Sequence, residues 1–140
     1  MFLPDAEATV AAGVAMAADL CPGDVIALTG GLGAGKTHLS KGIVHGLGST
    51  AEVTSPTFSL VHEFRDGRLP VFHFDFYRMR SETEVLAIGW DDFLDSGGVC
   101  IVEWADLFPA LLPAHSHWYA LEPENGGRCL RAVPAPGAQA

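Results

Sequence analysis

The chain alternates short apolar runs with segments in which apolar residues recur every three or four positions. The runs predict buried strands and the periodic segments predict helices, so the pattern is typical of an α/β domain. In chain order, it predicts a helix over 5–20, a strand over 24–29, a helix ending near 46–48, strands over 57–64 and 70–75, a helix over 82–88, a strand over 99–103, a short helix over about 105–112, and strands over 117–121 and 128–133.

Turn signals decide how these strands pair. Asp66-Gly67 separates two strands and predicts a hairpin, and the last two strands flank a second hairpin around Pro123 to Gly127. We therefore expect a mixed, mostly parallel sheet flanked by helices, in one domain over residues 1–133. Residues 134–140 are rich in Pro, Ala and Gly and are expected to form a disordered tail.

A glycine-rich loop lies between the first predicted strand and the helix that follows it. Residues 30–37 read GGLGAGKT and fit the phosphate-binding pattern G-x-x-x-x-G-K-[ST], which points to a single P-loop NTPase-like domain. Backbone N–H groups and the helix dipole are expected to hold the phosphates of a nucleoside triphosphate, with Lys36 on the β- and γ-phosphates and the Thr37 hydroxyl on Mg²⁺. The candidate nucleotide-binding residues here are Gly31, Leu32, Gly33, Ala34, Gly35, Lys36, Thr37 and His38.

Two carboxylates are candidates to complete this site. Glu103 ends the apolar run 99–103 at the sheet edge where ligands bind, so we expect it to hold Mg²⁺, although a surface glutamate is the plainer alternative. Asp75 follows an alternation in which His73, Asp75 and Tyr77 are expected to share one polar strand face. Asp75 either positions water or metal, or forms a turn or salt bridge at the end of its strand.

The hydroxyl-rich segment 54–58 is a further candidate. It lies between the glycine loop and Asp75, where loops that sense the γ-phosphate usually occur, and Thr57 is the residue we expect to do so.

Composition narrows the choice of partner and location. The 140 residues carry a formal net charge of −9 and only two lysines, which argues against tight binding to a nucleic acid by this chain alone. No apolar run approaches the ~20 residues needed to cross a bilayer, and no signal-peptide pattern is visible. The three cysteines are odd in number and lack metal-ligand spacing. Cys100 lies in an apolar run and is expected to be a buried thiol, which favours a reducing cytoplasm.

Four ordered motifs together suggest a family. They are GGLGAGKT at 30–37, Thr54-Ser55-Pro56-Thr57-Phe58, His73-Phe74-Asp75-Phe76-Tyr77-Arg78 and Val102-Glu103-Trp104-Ala105. From about Thr9 to Arg128 the chain resembles the TsaE (formerly YjeE) family, small ATPases required for the threonylcarbamoyladenosine modification of tRNA. The resemblance implies ATP and Mg²⁺ as cofactors and weak hydrolysis by the isolated protein. It also implies TsaD and TsaB as partners, with tRNA reached only through their complex.

The resemblance also implies roles for individual residues. It assigns Lys36 to phosphate, Thr37 and Glu103 to Mg²⁺, Asp75 and Trp104 to the functional face, and Thr9 and Arg128 to the surroundings of the nucleotide. His38 departs from the family, which usually has a second threonine there. The lost hydroxyl is expected to weaken nucleotide binding by less than ~1.5 kcal/mol, the contribution of one hydrogen bond.

Three functions are therefore open at this point. The first is an ATPase that drives conformational cycling of a tRNA-modifying complex, with Lys36, Asp75 and Glu103 as catalytic residues. The second is a small nucleoside or nucleotide kinase, although the six arginines are scattered instead of forming a lid. The third is an interaction module in which ATP binding, without hydrolysis, is the signal.

Overall fold

A computed structural model describes residues 1–31, 35–53 and 60–136. The helices are α1 (Ala6–Ala17), α2 (Lys36–Gly46), α3 (Glu82–Ala87) and α4 (Trp90–Leu94), with short 3₁₀ helices at Phe76–Arg78, Ala105–Leu107 and Pro109–Leu111. The strands are β1 (Phe2–Leu3), β2 (Val25–Thr29), β3 (Val61–Phe64), β4 (Val71–Asp75), β5 (Val99–Glu103), β6 (His117–Glu124) and β7 (Gly127–Ala132). Among these described helices, none is long and apolar enough to span a bilayer.

The strands form one mixed sheet in the order β1-β7-β6-β2-β5-β4-β3. Its centre is parallel, because β2 pairs with β5 and β6 and β4 pairs with β5 in the same direction. Both edges are antiparallel: β3 with β4 on one side, and β6 with β7 and β7 with β1 on the other. The predicted α/β class and both predicted hairpins are confirmed.

Helices cover both faces of this sheet because alternate side chains of the central strands point to opposite sides. On one face, Ile26, Leu28 and Ile101 pack with the apolar residues of α1 and α2. On the other face, the aromatic side chains of β4 pack with α3, α4 and the 3₁₀ helices. The phenyl ring of Phe74 lies edge-on to the indole of Trp90, with the ring centroids 5.0 Å apart.

Several element boundaries differ from the sequence-based expectation. Strand β1 and helix α4 were not predicted. Both elements are too short to produce a periodic pattern of apolar residues in the sequence. The helix expected over 105–112 is two 3₁₀ helices, since Pro109 has no N–H to continue a helix. The strand expected over 57–64 is present as Val61–Phe64, and its residues 57–59 lie outside the described part of the chain.

The tail prediction concerns residues 134–140. Residues 134–136 form neither helix nor strand, and 137–140 lie outside the described residues.

Glycines bring α1 and α2 into close contact. A methyl group on Gly42 would come within 2.1 Å of the Val10 carbonyl oxygen, and one on Gly13 would come within 2.4 Å of the Leu39 carbonyl oxygen. The backbones of the two helices therefore touch where other residues would hold them apart. This contact places the N-terminal half of α1 beside the start of α2.

We predict that Gly42→Ala destabilises the protein. Alanine gains about 1 kcal/mol of helix propensity, but forcing a methyl group into a backbone contact costs about 1–3 kcal/mol or more. The free energy of unfolding in urea should therefore fall. Ala15→Ser adds one heavy atom on the exposed side of α1 and should change stability by less than about 0.5 kcal/mol. Equal stability of Gly42→Ala and the parent protein would contradict the packing described.

Candidate functional site

Three strands deliver the candidate residues to one edge of the sheet. In the register of the parallel pairs, Leu28 of β2 lies beside Glu103, and Asp75 of β4 lies beside Glu103 from the other side. The glycine loop begins at Gly30, directly after β2. The carboxyl ends of β2, β4 and β5 thus bring the loop and both candidate carboxylates together. This shared edge was predicted from the sequence for the loop and Glu103.

The start of α2 has the properties of an anion site. Gly35 precedes the helix with φ at 93°, a conformation that lets the chain turn sharply from loop to helix. Acidic residues usually stabilise the first turn of a helix, yet this turn contains none and begins with a lysine. A cation placed at the positive end of a helix dipole is unfavourable by itself, so this arrangement suits a bound anion.

Lys36 is held inside the site. Its side-chain ammonium donates to the carbonyl oxygens of Gly30 and Gly31, each at 2.8 Å, and lies 4.3 Å from the centre of the Trp104 ring. Burial lowers the pKa of this ammonium, and the negative charges of Glu103 and Asp75 oppose that effect. Lys36 is therefore a buried cation that lies among carbonyl groups, carboxylates and an aromatic face.

Thr37 and Glu103 meet as candidate metal ligands. The Thr37 hydroxyl donates to the Glu103 carboxylate, with both oxygens at 3.3 Å, and Glu103 is only 4% exposed. Adjacent ligands of octahedral Mg²⁺, at about 2.1 Å from the metal, lie about 3 Å apart, so the pair fits this ion. Among the described residues, no group of three or more His, Cys, Asp or Glu could hold a metal by itself. Mg²⁺ usually takes one or two protein ligands and completes its shell with phosphates and water, which the pair Thr37 and Glu103 would allow.

His73 was missed as a site residue by the sequence analysis. Its Nε2 atom lies 2.5 Å from Oε2 of Glu103, and its side chain is fully buried. One signal for it was present in the sequence, since the alternation in β4 placed His73 on the same face as Asp75. The alternation did not reveal that this face also carries Glu103 from the neighbouring strand.

Asp75 combines a structural role with a position in the site. Its Oδ1 accepts from the backbone N–H of Tyr77 at 3.0 Å, and its Oδ2 lies 3.6 Å from Nε of Arg78. Burial raises the pKa of the Asp75 carboxyl, and Glu103 adds to that rise, while the Tyr77 N–H, Arg78 and His73 oppose it. The turn and salt bridge named as the alternative are therefore both present, beside Glu103.

Tyr77 does not share the polar strand face, which corrects the sequence-based expectation. The chain leaves β4 at Asp75 and turns into a 3₁₀ helix, so Tyr77 is 57% exposed. Its ring lies 4.9 Å from the ring of Trp104. Trp104 itself has φ at 59°, a left-handed conformation that costs a bulky residue about 1–3 kcal/mol. Its indole thereby lies between the Tyr77 ring and the Lys36 ammonium.

Thr9 and Arg128 lie together beside the loop, although they are far apart in sequence. The Arg128 guanidinium donates to the Thr9 hydroxyl at 3.3 Å, and Thr9 donates to the Asp5 carbonyl oxygen at 3.0 Å. A methyl group on Gly35 would lie 2.9 Å from Nη1 of Arg128. The close packing of α1 on α2 and the position of β7 therefore bring both predicted residues to the end of the loop.

His38 is exposed on the first turn of α2. It lines a cavity of about 380 Å³ together with Ala6, Glu7, Val10 and Lys41. Of the other predicted nucleotide-binding residues, Gly31 is exposed next to Lys36. Leu32, Gly33, Ala34 and Thr57 lie outside the described residues, and their roles stay predictions.

The chain also matches a known family. The family model described as "Threonylcarbamoyl adenosine biosynthesis protein TsaE" matches residues 3–130, which include every element of the site. The chain belongs to the TsaE family. The resemblance inferred from the four motifs is thus confirmed.

Individual members of the TsaE family are similar over much of the chain. A tRNA threonylcarbamoyladenosine biosynthesis protein TsaE from Bacillus subtilis is 52% identical over 92 residues, 66% of this chain and 57% of that protein. A protein of the same description from Synechocystis is 43% identical over 113 residues, 79% of this chain and 72% of the relative. The match therefore spans little more than half the length of the Bacillus relative.

A solved structure extends the likeness to the fold. The crystal structure of Bacillus subtilis YdiB superposes with a TM-score of 0.78 at 34% sequence identity. The superposition covers 96% of this chain and 84% of that chain. The mixed sheet described above is therefore also found in an experimental structure.

We predict that Asp75→Asn stabilises the protein without nucleotide. The pKa of this carboxyl is higher in the folded than in the unfolded state, so its charge costs stability at neutral pH and protonation relieves that cost as the pH falls. Asparagine keeps an oxygen for the Tyr77 N–H and carries no charge. Urea unfolding between pH 4 and pH 8 should show a gain that is largest at the alkaline end.

Asp95→Asn, at an exposed carboxylate, is the control and should change stability by less than about 0.5 kcal/mol. A loss of stability in Asp75→Asn at pH 8 would mean that its bonds to Tyr77 and Arg78 outweigh its burial.

Proposed function

We propose that the chain is a Mg²⁺-dependent ATPase of tRNA threonylcarbamoyladenosine biosynthesis, whose ATP binding and hydrolysis drive cycling of a TsaB–TsaD complex. Participation in this pathway is supported by the family match over residues 3–130. The ATPase activity is supported above all by one observation: Lys36, Thr37 and Glu103 converge at the carboxyl edge of the central strands.

Each of these side chains suits a distinct task toward ATP. Lys36 would exchange the carbonyl oxygens of Gly30 and Gly31 for phosphate oxygens, which are stronger acceptors. Thr37 and Glu103 would hold Mg²⁺, which when bound neutralises charge on the β- and γ-phosphates. Trp104 covers the lysine and keeps water from one side of it.

The nucleoside would leave the loop on the side of α1. Thr9 and Arg128 flank Gly35 there, and the cavity lined by His38 and Lys41 opens beside the first turn of α2. If the phosphates bind at the loop and the nucleoside lies along α1, the nucleotide would contact every predicted binding residue that the structure describes.

Asp75 is the candidate for orienting the attacking water. It is buried beside Glu103, and its raised pKa favours proton acceptance over an ordinary aspartate. Its bonds to Tyr77 and Arg78 fix its carboxylate. Thr57 is the candidate for sensing the γ-phosphate.

The charge of the chain supports an indirect role at tRNA. A net charge of −9 argues against tight binding to nucleic-acid phosphates by this chain alone. TsaB and TsaD would therefore hold the tRNA, and this chain would act on them.

The arginines favour an ATPase over a kinase. Arg65 pairs with Glu63, Arg68 donates to the carbonyl oxygens of Ala17 and Leu20 at the end of α1, and Arg128 bonds Thr9. Kinases of this class use arginines on a mobile lid to exclude water. The arginines named here are instead tied to the body of the domain.

We predict that Lys36→Ala weakens ATP binding by about 1.5–3 kcal/mol, the contribution of a hydrogen bond to a charged group. Calorimetry with Mg²⁺ and ATP measures this directly. Arg65→Ala removes an equal charge at the opposite edge of the sheet and should bind ATP like the parent protein. An unchanged affinity in Lys36→Ala would exclude the loop as the phosphate site.

We also predict that hydrolysis depends on the partners. The isolated chain should turn ATP over slowly, and addition of the cognate TsaB and TsaD should raise the rate. Glu103→Gln should bind ATP but lose this stimulated hydrolysis, because the amide is a poor ligand for Mg²⁺.

High turnover by the isolated chain would contradict the proposal. If Glu103→Gln cannot hydrolyse ATP and still supports repeated rounds of tRNA modification, ATP binding alone is the signal and the chain is an interaction module.

A further inference from the structure

The face of β4 toward α2 contains a buried histidine that the proposed assignments do not use. His73 is fully buried, and Val71, two residues earlier on the same face of β4, is buried in the apolar layer of α1 and α2. A polar group in such surroundings costs free energy unless it is hydrogen-bonded. An apolar residue would be buried here at a lower cost in free energy, so an imidazole at this position suggests a functional role.

The ring of His73 makes its polar contact with one group. Its Nε2 atom lies 2.5 Å from Oε2 of Glu103. Its Nδ1 atom is buried and has no hydrogen-bond partner among the described residues. Because a carboxylate oxygen accepts, Nε2 is the donor, and the ring is oriented by Glu103 alone.

Glu103 has a competing partner. The charge of the Glu103 carboxylate acts to raise the pKa of the Lys36 ammonium, so the two groups attract each other and a direct ion pair between them is the competing arrangement. Such an ion pair would occupy both the phosphate-binding cation and the carboxylate. The bond from His73 instead fixes Oε2 and leaves both carboxylate oxygens 3.3 Å from the Thr37 hydroxyl.

We propose that His73 is a positioning residue for the metal site: its Nε2–H holds the Glu103 carboxylate toward Thr37 and away from Lys36. This inference rests on the proposed function of Glu103 and Thr37 as the Mg²⁺ site. The groups that hydrogen-bond a metal-binding side chain orient it, and their loss typically costs about 10–100-fold in metal affinity or activity. His73 acts through Glu103 and touches neither nucleotide nor metal.

The test distinguishes a loss of metal binding from a loss of nucleotide binding. We would measure ATP binding by calorimetry with Mg²⁺ and with excess chelator, and Mn²⁺ binding to the ATP-loaded protein by electron paramagnetic resonance. His73→Leu removes the donor and keeps an apolar side chain in the strand. His73→Gln keeps a side-chain N–H at a length close to that of Nε2 and is the matched control.

The expected result is selective. His73→Leu should bind Mn²⁺ about 10–100-fold more weakly and lose most of the gain in ATP affinity that Mg²⁺ provides. Its ATP affinity in chelator should equal that of the parent protein, and His73→Gln should recover most of the metal affinity. Should His73→Leu not fold, His73→Asn takes its place, because its amide ends too far back to reach Glu103.

Two results would overturn the inference. The first is that His73→Leu binds Mn²⁺ as tightly as the parent protein does. The second is that His73→Gln and His73→Leu lose Mn²⁺ affinity equally. Both concern His73 only, provided that the parent protein binds Mg²⁺ and ATP. If the parent protein itself binds ATP equally well with and without Mg²⁺, the metal site of the proposed function has failed, and this inference fails with it.

Discussion

The alignment of parallel strand ends is the constraint on which the site depends. Because β2, β5 and β4 run in the same direction and in register, Leu28, Glu103 and Asp75 reach the same level of the sheet. The loop after β2 then places Lys36 and Thr37 against carboxylates from strands that follow much later in the chain. Buried polar groups of this kind cost stability unless they are paired, and the Lys36 ammonium, the Thr37 hydroxyl and the Glu103 carboxylate each have a partner within the site. Packing of the two apolar layers offsets that cost and fixes the strands that carry these groups.

Much of this arrangement was predictable because short segments of the sequence determine it. The glycine loop between an apolar run and a periodic segment predicted a strand, a phosphate loop and a helix, and β2 and α2 lie where expected. Glu103 followed from the same reasoning, since a continuous apolar strand belongs in the sheet centre and its carboxyl end lies at the binding edge. The two hairpins followed from their turn residues.

What sequence reasoning missed depends on contacts between segments. In the sequence, Tyr77 continues the alternation of β4. In the structure, Asp75 accepts a hydrogen bond from the backbone N–H of Tyr77, and the chain turns into a 3₁₀ helix. His73 looked like one polar residue on a strand face, and only the neighbouring strand shows that it meets Glu103. The left-handed backbone of Trp104, which puts its indole over Lys36, has no sequence signal either. Pairing between distant strands decides all three outcomes.

The central claim is that Thr37 and Glu103 hold the metal of a nucleotide bound at Lys36. Its most direct test is a crystal structure with Mn²⁺ and a non-hydrolysable ATP analogue, in which anomalous scattering locates the metal. We expect manganese bonded to the Thr37 hydroxyl and to the nucleotide phosphates, with Glu103 bound directly or through one water. Manganese at any other place, or a triphosphate that does not contact Lys36, would contradict the account.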